Sequence, residues 1–245
     1  VRTAIVIPAR NEQATVGHVV AGARLSMPGA HIIVVDDAST DHTAERADAA
    51  GADVLALRAH SGYAGALREG YRAALDGGAT ALLQLDADGQ HLPADLPRLL
   101  DSLGDADLVL GSRFLGPTPG YAIPPLRRVG MAACRWMASA VGGLRVTDPT
   151  SGLRALTPRV AGHIADHGFP SGLTETSLLI HLHRAGIRIR EIPVSMRASQ
   201  GDSMHAGLAG GAHLVRISWA VLGLAARGTA RDIAPEPALA PRNTL

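Results

Sequence analysis

The chain has 245 residues, 47% hydrophobic and 18% charged, enough for one large α/β domain or two small ones around an ample core. A formal net charge of only +1 gives no global electrostatic attraction to nucleic acid, so no nucleic-acid partner is expected. All 23 basic residues are arginine, which excludes chemistry that needs a lysine at a phosphate loop, a Schiff base or a phospho-receiver site.

The chain opens on a β-branched apolar run that predicts a buried strand over 3–8, with no charged segment and apolar stretch of a signal peptide before it. A helix is predicted over 14–25, a strand over 31–36, a helix over 38–50 and a strand over 53–58. The pattern continues with a helix over 62–75, a strand over 81–86, a helix over 93–103 and a strand over 107–111. Strands alternating with helices at this spacing imply βαβ units and a largely parallel sheet.

Residues 116–125 are too rich in Gly and Pro for a regular element and read as a long surface loop. A helix over 126–141 follows, carrying Cys134, the single cysteine, which can form no intrachain disulfide and reads as a buried thiol in a reducing compartment. Residues 148–156 read as a turn into a short strand, followed by helices over 158–166 and 174–185 and a strand over 187–193. His163 and His167 stand i, i+4 on the first of these helices and read as a solvated face, because no third ligand stands at a matching spacing. A helix over 207–227 has Leu208, Ala212, Val215, Trp219 and Leu222 on one face and Arg216 and Arg227 elsewhere, which suits docking on the domain or on a membrane interface. The Pro-containing end reads as a disordered tail, and no stretch supplies the ~20 uninterrupted apolar residues of a spanning helix.

Chemistry concentrates at the carboxyl ends of the predicted strands. Arg10 and Glu12 follow the first, Asp36 and Asp37 the second, Asp86 and Asp88 the strand over 81–86, and Arg113 the strand over 107–111. A parallel sheet brings those ends to one edge, where ligands bind in open α/β folds. Asp86 and Asp88, one residue apart after an apolar strand, can both reach a hard divalent cation, and Mg²⁺ takes one or two carboxylates while leaving positions for phosphate oxygens. Taken singly, each acid also suits a strand-ending turn or a helix cap.

The residues Ile7-Pro8-Ala9-Arg10-Asn11-Glu12, Val35-Asp36-Asp37-Ala38-Ser39, Asp86-Ala87-Asp88-Gly89-Gln90-His91 and Gly111-Ser112-Arg113-Phe114, in this order, resemble the signature of family-2 glycosyltransferases with a GT-A fold. Asp148-Pro149-Thr150-Ser151-Gly152-Leu153 and the distal Gly201-Asp202-Ser203 extend the resemblance to the dolichyl- and polyprenyl-phosphate mannosyltransferases. It implies a Rossmann-like, mostly parallel central sheet with flanking helices in one domain over 1–204. Within it, 1–114 would bind the nucleotide sugar and 115–204 the acceptor, with the amphipathic helix placed at 205–227 and the tail at 228–245.

By the same resemblance, Pro8, Arg10 and Glu12 line the nucleoside pocket, with Arg10 where the family often has Tyr, and Asp37 hydrogen-bonds base or ribose. Asp86, Asp88 and Gln90 hold Mg²⁺ or Mn²⁺ and the donor diphosphate. Arg113 and Arg127 grip the acceptor phosphate, Asp148 and Glu175 sit near sugar and acceptor, and the loop from Arg197 to Ser203 closes over the site. Arg197 lies one residue farther from Gly201 than the family pattern, Met204 replaces its usual Lys, and Ser177 stands where many relatives carry a second acid.

The expected reaction is inverting transfer of a hexose, mannose or glucose, from a GDP or UDP sugar to a polyprenyl or dolichyl phosphate. A phosphate acceptor is already an anion and needs no base, whereas a soluble hydroxyl acceptor, the alternative, needs Glu175 or Asp148 to take its proton. A non-catalytic nucleotide-sugar-binding module is the remaining alternative, and the pair Asp86 and Asp88 argues against it. The expected location is the cytoplasm, at the cytoplasmic face of a membrane if the 207–227 helix makes a peripheral contact there.

Overall fold

The computed structural model describes residues 2–116, 125–167 and 175–197, of 125–127 the backbone alone. The expected loop over 116–125 falls largely outside the described residues, as do Ser203, the 205–227 helix and the tail. The strands are β1 (Thr3–Ala9), β2 (His31–Asp36), β3 (Asp53–Ala56), β4 (Ala81–Gln84), β5 (Leu108–Ser112), β6 (Arg154–Leu156) and β7 (Ile189–Pro193). The helices are α1 (Val16–Ser26), α2 (Thr43–Ala49), α3 (Gly62–Asp76), α4 (Leu96–Asp101), α5 (Pro125–Ala140), α6 (Pro158–His167) and α7 (Glu175–Arg184).

One sheet runs in the order β3-β2-β1-β4-β6-β5-β7. Every pairing is parallel except those of β6, which lies antiparallel between β4 and β5. Side chains alternate across a strand, so the sheet sorts its apolar residues onto two faces. Ala4, Val6, Ile33, Val35, Leu82 and Leu108 enter one core with α3, α6 and α7, while Ile5, Ile7, Ile32, Val34, Leu83 and Val109 enter the other with α1 and α4. Burial on both faces is why these strands read as continuous apolar runs rather than alternating ones. Gly70 lets α3 lie close on the sheet, since a Cβ there would stand 2.4 Å from Val6 Cγ1 and 2.8 Å from Val35 Cγ2.

Two helices differ from expectation. The helix predicted over 38–50 starts only at Thr43, because Ala38 sits at φ +55° and the Asp41 carboxylate accepts the Thr43 N–H at 3.0 Å. The helix predicted over 93–103 is divided into a 3-10 turn at Pro93–Asp95, α4, and a second 3-10 turn at Ser102–Asp105. Among the described residues no helix is long and apolar enough to cross a membrane.

Candidate active site

The strand ends converge as a parallel sheet requires. Asp37 N–H donates to Ala9 O at 2.9 Å, Thr40 N–H to Asn11 Oδ1 at 2.9 Å and Glu12 N–H to Thr43 Oγ1 at 2.8 Å, so the loops after β1 and β2 are laced into one wall. Asn11, at φ +55°, is an amide residue of the kind that tolerates the left-handed region. Pro8 is buried in β1 opposite Val35, and Glu12 is half-buried beyond it. Burial pushes the Glu12 carboxyl up; the Thr15 hydroxyl bond opposes this, and the charges of Asp88, Asp41 and Asp86 add to it.

Asp37 caps α3. Its carboxylate accepts the Ser61 N–H at 2.6 Å, the Ser61 hydroxyl at 3.0 Å, the Gly62 N–H at 2.9 Å and the His60 Nδ1 proton at 2.7 Å. Burial opposes these bonds, yet they hold the Asp37 carboxyl below its ordinary value. His60 Nε2 in turn accepts from Arg10 Nη1 at 2.9 Å, which ties Arg10 to Asp37 through one imidazole. Arg10 Nε is buried and has no hydrogen-bond partner.

Asp86 and Asp88 lie past the end of β4, both half-buried. Tyr63 donates its hydroxyl to Asp86 Oδ1 at 2.8 Å and accepts from Gln84 Nε2 at 2.8 Å, and the Tyr71 hydroxyl donates to Gln84 Oε1 behind them. Burial pushes the Asp86 carboxyl up, against the Tyr63 bond and the charges of Arg154 and Arg113. Gly152 backs directly onto this carboxylate: a Cβ built there would stand 1.9 Å from Asp86 Oδ2. Asp88 Oδ1 accepts the Gln90 N–H at 3.0 Å, and the Gln90 carbonyl accepts the Arg197 N–H at 2.8 Å. His91 pairs with Met196 as an antiparallel bridge, so the segment ending at Arg197 is fastened beside the β4 turn. Burial brings the His91 imidazole down to about 4, which keeps the ring neutral, and its Nε2 lies 3.8 Å from Asp86 Oδ2.

Two buried arginine–carboxylate pairs floor the site. Arg113 grips Asp148 with Nε to Oδ2 and Nη2 to Oδ1, both at 2.6 Å, while Nη2 also meets Thr150 Oγ1 at 2.7 Å. The backbone that carries Asp148 is held by Glu191, which accepts the N–H groups of Thr147 and Asp148 at 2.6 and 2.8 Å. Arg154, 1% exposed, donates from Nη2 to Glu175 Oε2 at 2.6 Å and from Nε to Ser151 O at 2.9 Å. Burial pushes the Glu175 carboxyl up to about 7, with Arg154 opposing and Asp86 adding to the rise.

The chain from residue 4 to residue 157 matches the model of glycosyl transferase family 2. The chain belongs to that family. This glycosyltransferase is 33% identical over 248 residues to undecaprenyl-phosphate mannosyltransferase of Micrococcus luteus, covering 92% of this chain and 96% of the relative. Polyprenol monophosphomannose synthase of Mycolicibacterium smegmatis is 35% identical over 164 residues, 63% of this chain and 61% of that one. In fold it resembles glucosyl-3-phosphoglycerate synthase of Mycobacterium tuberculosis, solved with Mn²⁺, UDP and glucosyl-3-phosphoglycerate. That likeness has a TM-score of 0.66 at 22% identity and covers 91% of this chain and 80% of the other.

The glycosyltransferase thus brings Pro8, Arg10, Glu12, Asp37, Asp86, Asp88, Gln90, Arg113, Asp148, Glu175 and Arg197 to one end of the sheet. Arg127 is placed on α5 by its backbone alone. Arg113 and Asp148 are 5% and 0% exposed and committed to each other, so a ligand would have to share that arginine. The sequence pattern assigns no role to Tyr63, Arg154 or His60, and Gly152 stands in the 148–153 motif without a role of its own. Arg154 had a readable signal as the lone charge in Leu153-Arg154-Ala155-Leu156; the others are found only through long-range contacts.

Among the described residues no three His, Cys, Asp or Glu side chains could hold a metal ion unaided. Glu12, Asp86 and Glu175 are nonetheless all pushed up, each with a neighbouring carboxylate or its own burial among the causes. Such an oxygen-rich, self-repelling pocket suits a hard cation that takes one or two carboxylates and completes its shell from phosphate and water. His163 meets His181, Nε2 to Nε2 at 3.3 Å, and stacks on His167, a cluster on α6 and α7 that the i, i+4 reading of His163 and His167 alone did not anticipate.

Proposed function

We propose that this glycosyltransferase moves a hexose from a GDP or UDP sugar to a polyprenyl phosphate, with inversion at the anomeric carbon. The observation that carries the acceptor is the 33% identity to an undecaprenyl-phosphate mannosyltransferase along nearly the whole of both chains. In the reaction, the bond from anomeric carbon to donor phosphate oxygen breaks, and an oxygen of the acceptor phosphate bonds to the opposite face of that carbon. The nucleoside diphosphate leaves with the electron pair. Mg²⁺ or Mn²⁺, bound at Asp86, Asp88 and Gln90, would supply Lewis acidity to the departing diphosphate.

The chain's own residues do the rest. Arg10 and Glu12 bind the nucleoside beside Pro8, with Asp37 orienting Arg10 through His60. Tyr63 holds Asp86 in one rotamer, a preorganisation that needs no rearrangement as charge develops. Arg113 and Arg127 bind the acceptor phosphate, and Arg197 is fastened to Gln90 beside the metal carboxylates. The 207–227 helix makes the peripheral contact with the cytoplasmic face of the membrane.

One observation favours the second reading, transfer to a hydroxyl: Glu175, at about 7, has the affinity for a proton that suits a general base near neutral pH. The same protein separates the two. A thermal-shift panel of UDP, GDP and dTDP sugars with and without Mn²⁺ fixes the donor, with stabilisation by one nucleotide only in the presence of metal as the expected result. Transfer to polyprenyl phosphate is then measured for wild type, Asp88→Ala and Glu175→Gln. The first reading expects turnover to collapse in Asp88→Ala and to survive in Glu175→Gln. Collapse in a folded Glu175→Gln together with transfer to a hydroxyl acceptor would favour the second, and donor turnover unchanged in Asp88→Ala would overturn the metal assignment.

A further inference from the structure

Three imidazoles gather where α6 meets α7, and the transfer reaction uses none of them. His163 and His167 stand one turn apart on α6, and His181 comes from α7, six residues beyond Glu175 and so about 9 Å farther along that helix. His163 Nε2 lies 3.3 Å from His181 Nε2, with the ring centroids 5.5 Å apart and the ring planes 25° apart. His167 stacks on His163 with centroids 4.6 Å apart, and its Nδ1 meets His163 O at 3.1 Å. His163 and His181 are both half-buried.

Two arrangements bring imidazole nitrogens to such a separation. One is a hydrogen bond from whichever ring carries the Nε2 proton, and 3.3 Å is beyond the usual range for an N–H donor. The other is shared coordination: two nitrogens each about 2.0–2.1 Å from a tetrahedral ion stand about 3.3 Å apart. Imidazole suits Zn²⁺, Cu²⁺ and Ni²⁺, whereas Mg²⁺ prefers the oxygens that Asp86 and Asp88 offer. Burial brings His181 down, and the charges of His167 and Arg184 add to the fall, which favours the neutral ring that a metal ligand must be.

We propose that His163 and His181 form a two-imidazole site for a borderline divalent cation of the Zn²⁺ class, separate from the catalytic carboxylates. Since no three such side chains among the described residues could hold an ion, water completes the shell. The bound ion ties α7, whose first residue is Glu175, to α6. The site is independent of the donor and of the acceptor.

The experiment uses the full chain without an affinity tag, stripped of metal by a chelator and then held in a large excess of Mg²⁺ to occupy the oxygen site. Zn²⁺ is titrated by calorimetry, and the electron paramagnetic resonance of bound Cu²⁺ reports its nitrogen ligands. The expected result is one saturable Zn²⁺ site that raises the thermal midpoint, with nitrogen hyperfine structure from two imidazoles on Cu²⁺. Binding should be present at about pH 7.5 and lost at about pH 5.5, where protons compete for the rings. His163→Gln and His181→Gln should each abolish it. His183→Gln, exposed elsewhere around α7, and Asp88→Ala should leave it unchanged. The Cu²⁺ spectrum of the unaltered chain tests the site even if a variant fails to fold. Zn²⁺ binding that Mg²⁺ abolishes, that Asp88→Ala removes or that both folded histidine variants retain would overturn the proposal, as would a Cu²⁺ spectrum without nitrogen ligands.

Discussion

Gly152→Ala is the sharpest perturbation of the carboxylate at the centre of the site, because it adds one methyl group and no charge. A Cβ at 152 would stand 1.9 Å from Asp86 Oδ2, 2.5 Å from its Cγ and 2.6 Å from Oδ1, whereas ordinary contact begins at 3.4 Å. Asp86 must therefore retreat by about 1.5 Å or the 148–153 turn must open, and Tyr63, bonded to both Asp86 and Gln84, resists the first. Misplacing a reacting-site group by about 1 Å can cost on the order of 100-fold in rate, or about 2.7 kcal/mol of barrier. Overpacking should take a further ~1–3 kcal/mol from stability. The assay is kcat/KM for donor turnover at saturating Mn²⁺, alongside the Mn²⁺ dependence of the thermal midpoint. A folded Gly152→Ala enzyme with both quantities within about twofold of wild type would refute the assignment of Asp86 to the reacting centre.

Asp148→Asn leaves Arg113 buried without its counter-charge and should lower the unfolding free energy by roughly 3–5 kcal/mol in urea titration, and a loss below about 1 kcal/mol would show that the pair supports little. Tyr63→Phe deletes the hydroxyl shared by Asp86 and Gln84, so it should weaken Mn²⁺ dependence on the order of 10-fold and stability by ~1–3 kcal/mol; an unaltered metal titration would separate Tyr63 from the metal carboxylate. Glu175 carries a pH signature: burial, opposed by Arg154, raises it in the folded state to about 7 from 4.5. The folded state therefore binds this proton more tightly, and the contribution to stability is fully present below the ordinary value and lost as pH rises through about 7. Glu175→Gln should flatten the wild-type fall in stability between about pH 5 and about pH 8; parallel curves for the two proteins would contradict that pKa shift.

The sequence was most legible where burial is two-sided. β1, β2 and β4 are continuous apolar runs because both sheet faces are covered, and such runs have clear ends. The carboxylates past those ends, Asp86 and Asp88 above all, could be assigned to one edge without knowing any side-chain contact. Direction was not legible. Arg154-Ala155-Leu156 is a three-residue strand, and nothing in its pattern says that it runs against its neighbours or that it lies between β4 and β5. Asp37 shows the other limit. Its place after β2 was readable, but its four hydrogen bonds come from residues 60–62, and only the packing of α3 against the sheet brings those donors to it.

The reversed strand is what makes the acid-rich end tenable. Its register sets Arg154 opposite Gln84 of β4 and Leu110 of β5, so a permanent cation stands beneath the strand that leads to Asp86 and Asp88. From there Arg154 meets Glu175 and opposes the rise of the Asp86 carboxyl, and Arg113 at the end of β5 does the same from the other side. Guanidinium groups keep their charge at any working pH, so these carboxylates have counter-charges before any ligand arrives. Replacing Arg154 by an apolar residue of similar length removes a charge and a buried bond to Glu175 together. Arg154→Met should accordingly raise Glu175 further and move the pH dependence of stability to higher pH. Arg154→Lys, which keeps the charge but loses the two-point grip on Ser151 and Glu175, should move it less. If the two variants shift the pH dependence equally, the fixed geometry of the guanidinium rather than its charge governs this end of the sheet, and the electrostatic account fails.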